Sequence, residues 1–430
     1  MASNRFVAAA VVAVASLAFV RTSGAEEAAN CSSTITRSNL VPCVLHVSLS
    51  VRAERQGVDA VRGRQLAAST WLPSNPTISL SGSRRTGPGG TPEVFNWLGS
   101  LSQEVEIAGQ RGARRDAAEA QVSAQMQRVL VARRDVAVEA WAGFFDVIAA
   151  EEDLRLTAKV TVSAEGIAVL ARARADQGLS APVEADVAEA STLRFIQARF
   201  AGERKLAASR AALATLMGLD ATASFSVEGD LVPVPGVEEA AHRLIAQGVT
   251  SKPEIQAAEA ERRAWESRAT LYRRLRIPNP SVSVFVQNDG FNERVFGVGL
   301  SLPIPLPGPV GRTYAGEAAE ADALSRRAST ETDRLQRQLR QEVITSLTMF
   351  ESRRLEVDAF RPDRLARAES SLRALALEIQ AGRVNLRDAL LTQQGLVELL
   401  QAHLAARRAL ALASVDLARA GGIALDGGGT

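Results

Sequence analysis

Asn75-Pro76-Thr77-Ile78-Ser79 returns 204 residues later as Asn279-Pro280-Ser281-Val282-Ser283. The same offset of 204 separates Gly178-Leu179-Ser180 from Gly382-Arg383-Val384. Around these anchors each copy runs in one order: a helical lead-in, an alternating strand pair, a very long helix, a glycine turn and a return helix. Solenoid repeats have periods of roughly 20–50 residues, so a unit this large reads as a duplicated half-protein. The division is a signal segment over 1–25, a first repeat over 26–218, a connector over 219–252, a second repeat over 253–420 and a flexible tail over 421–430.

The segments beside the two Asn-Pro pairs alternate. Ile78 and Leu80 point one way, and Thr77, Ser79 and Ser81 the other. This is the period of a half-buried strand. Arg84 to Pro92 reads as a loop, and the chain returns through Val94 to Val105 with Phe95 and Trp97 on one face, giving a strand pair over 77–105. The second copy repeats the plan over 281–302. Val282, Val284 and Val286 oppose Ser283, Phe285 and Gln287, Asn288-Asp289-Gly290 marks the turn, and Phe296, Val298, Leu300 and Leu302 oppose Gly297, Gly299 and Ser301. One alternative is an ordinary soluble hairpin. Against it, strands this long expose much apolar surface unless lipid or another sheet covers them.

Between the strands and the glycines lie the rods. No proline interrupts 112–176, and Val122, Met126, Val129, Val136, Ala140, Phe144, Val147 and Leu154 recur at spacings of a coiled-coil stripe. At about 1.5 Å per residue the rod is roughly 100 Å long. The second rod, 312–380, carries Leu335, Leu339, Val343, Phe350 and Val357 in step, but Pro362 should bend or break it. Return helices follow over 181–217 and 386–420. A lead-in helix is expected over Val41–Ala68, and Asp220–Pro235 reads as an irregular or extended connector. An Ala/Glu-rich match 201 residues apart, Asp116–Ala120 with Glu317–Ala321, implies a longer hairpin in the first copy and a longer rod in the second.

Composition fits long helices better than compact globules. Aromatic residues are 4% of the 430, while Ala, Arg, Leu, Glu and Gln fill the long stretches. Arg5, the apolar run Phe6–Val20 and Ser23-Gly24-Ala25 have the form of an export signal. A membrane anchor is the alternative, but about 20 apolar residues are needed to span a bilayer. Since no other stretch is long and apolar enough for a membrane helix, any crossing must be by strands. Removing Arg5 and Arg21 from the 50 basic residues leaves 48 against 48 acidic ones, a balance that gives nucleic-acid binding no support.

Cys31 and Cys43 are the only cysteines. In an exported chain they are candidates for a disulfide. Lipid modification of Cys31 is a second reading and metal binding a third. The histidines His46, His242 and His403 stand scattered and unaccompanied, without metal-ligand spacing. Gly87–Gly90 is a hairpin loop rather than a phosphate cradle. No nucleophile–base pair can be argued. No enzyme, cofactor or metal site is expected.

The combination of export signal, duplicated hairpin plus long helix and glycine-ended rods resembles the TolC-like outer-membrane efflux proteins. The resemblance covers nearly all of the chain after the signal. Its specific parts are the two Asn-Pro strand starts, the glycine tips, Arg172-Ala173-Arg174, Lys252-Pro253-Glu254-Ile255 and the crossing Leu300-Ser301-Leu302-Pro303-Ile304-Pro305-Leu306. Ser102 to Arg111 resembles the heavy-metal (CzcC-like) branch, although this chain ends Ala-Gly-Gln-Arg where that branch has Gly-Gly-Lys-Arg.

The resemblance implies a mainly α fold with a membrane β-barrel contribution. Each protomer supplies four strands to a twelve-stranded barrel and its helical hairpins to a tunnel, as a homotrimer. The implied function is passive conduction through the outer membrane from a periplasmic adaptor and an inner-membrane pump, with heavy-metal cations among the candidate substrates. The implied location is the cell outer membrane with a large periplasmic portion, and the implied partners include outer-membrane lipid. The adaptor-docking tip is Gly178, Leu179, Ser180, Gly382, Arg383 and Val384. Asp176, Glu184, Asp186 and Asp388 are candidates for a gate or cation ring. A periplasmic coiled-coil adaptor or structural rod without a barrel is the competing class.

Overall fold

The computed structural model describes residues 31, 33–85, 94–288, 293–306, 308–381, 383–423 and 425. The expected export signal, most of the first hairpin loop, the Asp289-Gly290 turn, Gly382 and the end of the expected tail lie outside these residues.

In chain order the elements are β1 (Thr34–Ile35), α1 (Leu40–Val47), α2 (Leu49–Ala68), β2 (Thr77–Arg85), β3 (Val94–Glu104), α3 (Gln110–Asp176), α4 (Pro182–Leu216), β4 (Ser226–Val227), α5 (Val237–Gln247), α6 (Pro253–Arg274), β5 (Ser281–Asn288), β6 (Arg294–Ser301), α7 (Ala315–Asp358), α8 (Pro362–Gln380) and α9 (Leu386–Gly421). Three helices open on proline, at Pro182, Pro253 and Pro362, each after a residue in extended conformation. Proline suits the first helical position, because its missing N–H would have no helical partner there, and it pushes the preceding residue out of the helix.

The helix expected over Val41–Ala68 is two helices. Ser48 leaves helical geometry at ψ 120°, and its Oγ accepts from the Val51 N–H at 3.3 Å to start α2. The first rod is an unbroken helix of 67 residues. The second stops at Asp358 and restarts at Pro362, as proline at that position requires. The helix starts, Gln110 and Ala315, are 205 apart and the last rod residues, Asp176 and Gln380, are 204 apart. The second rod is therefore not the longer, and the 201-residue match is not the register. The first hairpin is indeed longer (77–104 against 281–301), but a longer strand-to-helix crossing in the second copy compensates for it.

The four long strands form one antiparallel sheet in the order β2-β3-β5-β6. Leu101 of β3 pairs with both Ile78 and Val284, and Val284 pairs with Val298. One face therefore carries Ile78, Leu80, Phe95, Trp97, Leu101, Val282, Val284, Phe296, Val298 and Leu300. Serines, glycines, Asn96 and Gln287 dominate the other. The strand β2 runs past Ser83, with Arg84 opposite Phe95 and Arg85 opposite Val94, so the loop begins later than its Gly/Pro composition implies. Edge strands β2 and β6 each have one side unpaired among the described residues.

At the middle of α3 the apolar stripe becomes the main core. Trp141, Phe144 and Phe145 stack with ring centroids 5.5–5.8 Å apart among Ile35, Leu40, Leu213, Met217, Ile255, Val343, Phe350 and Leu417. Nearer the sheet, α3 packs on α2 and α6, and there its buried residues are Gln110, Ala113, Ala117, Ala118 and Ala124. Small side chains let helices approach closely, so the seam follows the alanines. Met126, expected in the stripe, is 49% exposed. At the C-terminus, Gly422 adopts φ 66° and turns the chain back. Leu425 is buried and its carbonyl accepts from Trp141 Nε1 at 3.4 Å. Leu425, within the tail expected from 421, is thus packed against the core.

Candidate functional site

The tip of the first rod is a hydrogen-bonded turn. Gly178 adopts φ 70°, its N–H donates to Ala175 O at 2.9 Å, and the Leu179 N–H donates to Arg174 O at 2.8 Å. These bonds occupy the last carbonyls of α3 and require a left-handed residue between them. An added Cβ at Gly178 would meet nothing within 4 Å, so conformation and not space selects glycine here. The second tip has the corresponding long bond, from the Arg383 N–H to Glu378 O at 3.0 Å.

Folding brings the two tips together. Arg174 Nη1 donates to Ile379 O at 3.3 Å. Ile167, Ala171, Ala185, Leu375, Ile379, Leu386 and Ala389 form a small core beneath them. A cleft of about 230 Å³ opens between the tips, with Leu179, Ser180, Glu184 and Val384 on its walls.

The four candidate acids differ in their surroundings. Asp186 lies 2.8 Å from Arg172 and Glu189 2.7 Å from the same guanidinium. These hydrogen bonds, Asp186 foremost, raise the Arg172 pKa further above its ordinary value. Asp388 is in the first turn of α9, where the Asn385 side chain caps its N–H at 2.8 Å and donates to its carboxylate at 2.7 Å. Glu184 is in the first turn of α4, a favourable place for an acid. Asp176 is exposed at the end of α3.

The other end of the molecule is the sheet. Its apolar face is uncovered, with Ile78, Leu80, Phe296, Val298 and Leu300 each 72–82% exposed. On the polar face Phe285 lies over Gly297, leaving no room for a Cβ there. No helix among the described residues is long and apolar enough to cross a membrane.

Two features were not legible as sites in the sequence. His242 is not unaccompanied, because Glu238 and Glu351 share its neighbourhood. A cleft of about 550 Å³ lies between α3, α8 and α9, where Arg155, Lys159, Arg373 and His403 meet. Burial, with Arg407 adding to it, pushes the His403 pKa down. The Glu-x-x-x-His spacing of residues 238 and 242 was the available sequence signal for the first. The second needs helices far apart in the chain and left none.

Residues 27–219 match the family described as Outer membrane efflux protein. They form an outer membrane efflux domain. The chain is accordingly an outer-membrane protein with a large helical portion on the periplasmic side. Among curated relatives, the nickel-cobalt-cadmium resistance protein NccC of Alcaligenes xylosoxydans xylosoxydans is 28% identical over 280 residues, 62% of this chain and 58% of that protein. The cobalt-zinc-cadmium resistance protein CzcC of Cupriavidus metallidurans is 23% identical over 301 residues, 68% of this chain and 69% of that one. A crystal structure of CusC matches with a TM-score of 0.73 at 15% identity, covering 90% of this chain and 91% of that one. This likeness establishes that the whole efflux-domain fold, second repeat included, is that of the TolC-like channels.

Proposed function

We propose that three copies of the chain close into one conduit through the outer membrane, and that this conduit passively carries substrate outward from a periplasmic adaptor and an inner-membrane pump. The four-stranded sheet carries this reading. Among the described residues its apolar face has no cover and its edges β2 and β6 have no partner. Backbone groups cannot be left unpaired in lipid, so an open sheet must close. A rod or adaptor without a barrel leaves this sheet without a purpose.

The internal repeat supplies the rule for closure. Within the chain the first repeat meets the second through β3 with β5 and α3 with α6, and α6 is also packed on α7. Repeating the same contacts across a protomer boundary pairs β6 with the next β2 and lays α7 on the next α2. That face of α2 is open, with Leu49 and Leu66 each 72% exposed. Three protomers then give twelve strands and a ring of helical hairpins.

In this reading the paired tips around Gly178 and Gly382 are the adaptor-docking and gating end. Leu179, Ser180, Arg383 and Val384 complete the docking surface, and Asp176, Glu184, Asp186 and Asp388, multiplied by threefold symmetry, form the cation-attracting ring. Of the four, Asp186 is the member whose carboxylate is ion-paired among the described residues, with Arg172. Likeness to NccC and CzcC makes divalent heavy-metal cations the favoured substrate class. Purified from outer membranes in mild detergent, the protein is expected to migrate as a trimer. Recovery as a monomer soluble without detergent overturns the reading.

A further inference from the structure

We propose that Glu238, His242 and Glu351 form a binding site for one divalent transition-metal ion that ties α5 to α7. The ligand atoms offered by these three side chains all lie within 4.8 Å of one another. Glu238 and His242 are four residues apart on α5 and therefore share a face. Glu351 comes from the facing helix α7, 109 positions beyond His242 in the chain.

Both helices are firmly seated. Val237, Ala240 and Ala241 bury the opposite face of α5, and Leu347 and Phe350 anchor α7 beside Glu351. A metal with bonds of 2.0–2.1 Å sets its tetrahedral ligands roughly 3.3 Å apart. Small side-chain rotations on two fixed helices suffice to reach that spacing.

The donor set is one imidazole nitrogen and two carboxylates. Their mixed nitrogen–oxygen character suits Zn²⁺, Co²⁺ or Ni²⁺ better than Mg²⁺ or Ca²⁺, which favour oxygen alone. Three protein ligands leave a fourth position for water. Arg354 Nη1 donates to Glu238 Oε2 at 2.6 Å. That bond leaves Oε1 for the metal and orients the carboxylate as an outer partner. The site lies away from both the tips and the sheet, and the proposal stands whether or not the chain conducts.

The test uses the full-length protein purified in detergent without a polyhistidine tag, titrated calorimetrically with Zn²⁺. The wild type is expected to take up one ion per chain, and His242→Ala and Glu351→Gln each to weaken binding at least about tenfold. With Co²⁺ as a second probe, a visible absorption band is expected in the wild type and not in His242→Ala. His242 is exposed, so its replacement leaves the fold in place, which circular dichroism verifies. Absence of saturable binding, or equal affinity in the wild type and both variants, overturns the proposal.

Discussion

Gln110 Nε2 donates to Asn279 Oδ1 over 2.9 Å, and this bond joins the first repeat to the second. Asn279 passes the contact on by donating to Glu104 Oε1 at 2.8 Å. Gln110 is fully buried, and its Oε1 accepts from the Ala108 N–H at 3.0 Å. An acceptor is needed there, which a lysine at this position would not supply. Asn75, 204 residues earlier, is exposed on the free edge of the sheet.

These two asparagines give the first prediction. Asn279→Ala removes the shortest of the acceptors around Gln110 Nε2, leaving Arg274 O and Ile277 O at 3.4 Å, and should cost about 0.5–1.5 kcal/mol. Asn75→Ala, a surface change in a single chain, should cost within about 0.5 kcal/mol if chains stay separate. If the seam between protomers repeats the internal one, it lowers trimer stability by an amount comparable to Asn279→Ala. Thermal dissociation of the detergent-solubilised trimer distinguishes the outcomes.

The sheet faces give the second. An Arg at the midplane of a barrel's lipid face costs about 2–4 kcal/mol. Val284→Arg should therefore deplete folded protein in the outer membrane far more than Ser283→Arg, whose neighbour Gly299 leaves room on the polar face. The expectation extends to Ile78, Leu80, Val282 and Val298. Equal depletion would show that the faces are assigned the wrong way round.

Gly178 gives the third. Left-handed backbone costs a residue with a Cβ roughly 1–2 kcal/mol, and nothing else at this turn resists a side chain. Gly178→Val should leave a folded trimer yet abolish resistance or export, while Gly178→Asn, which tolerates this conformation better, should retain part of it. Cross-linking to the adaptor at wild-type yield in Gly178→Val would place docking elsewhere. If Asp176→Asn leaves single-channel cation preference unchanged, the ring fails while the docking surface stands.

Lys252 gives a pH prediction. Its Nζ is buried and donates to Ala420 O at 2.9 Å, joining the start of α6 to the end of α9. Burial lowers its pKa below the ordinary 10.5, with Glu254 partly opposing. The unfolded chain therefore holds this proton to higher pH than the folded one, and the group's contribution to stability rises as pH increases through the folded pKa toward 10.5. Compared with Lys252→Met, the wild type should gain thermal stability between pH 7 and pH 10. An unchanged or shrinking advantage over that range rules out a buried, depressed lysine.

Cys31 and Cys43 form a disulfide with Cα atoms 5.3 Å apart, which occupies the Cys31 sulfur and leaves it unavailable to a lipid. Its loop of 12 residues constrains the unfolded chain by about 3 kcal/mol. Cys43→Ser should lower the unfolding midpoint accordingly, and the intact mass of the wild type should be two hydrogens below the reduced value, without an acyl group. An unaltered midpoint would show that the bridge contributes nothing.

Local periodicity and backbone chemistry determined much of this protein from sequence alone. Alternation fixes which strand residues share a face, because successive side chains point to opposite sides whatever the neighbours are. Proline at Pro362 breaks its rod and glycine at Gly178 ends the other, since both act through their own φ angle. What only the tertiary structure decided depends on partners distant in the chain. It set the helix register by the fit of Ala113, Ala117 and Ala124 against α2 and α6, where apolar spacing had pointed to Met126. It packed Leu425 under Trp141, although a glycine-rich end looks free. It brought Glu351 to Glu238 and His242, because two helices more than a hundred residues apart share a core, and no spacing within either helix records that meeting.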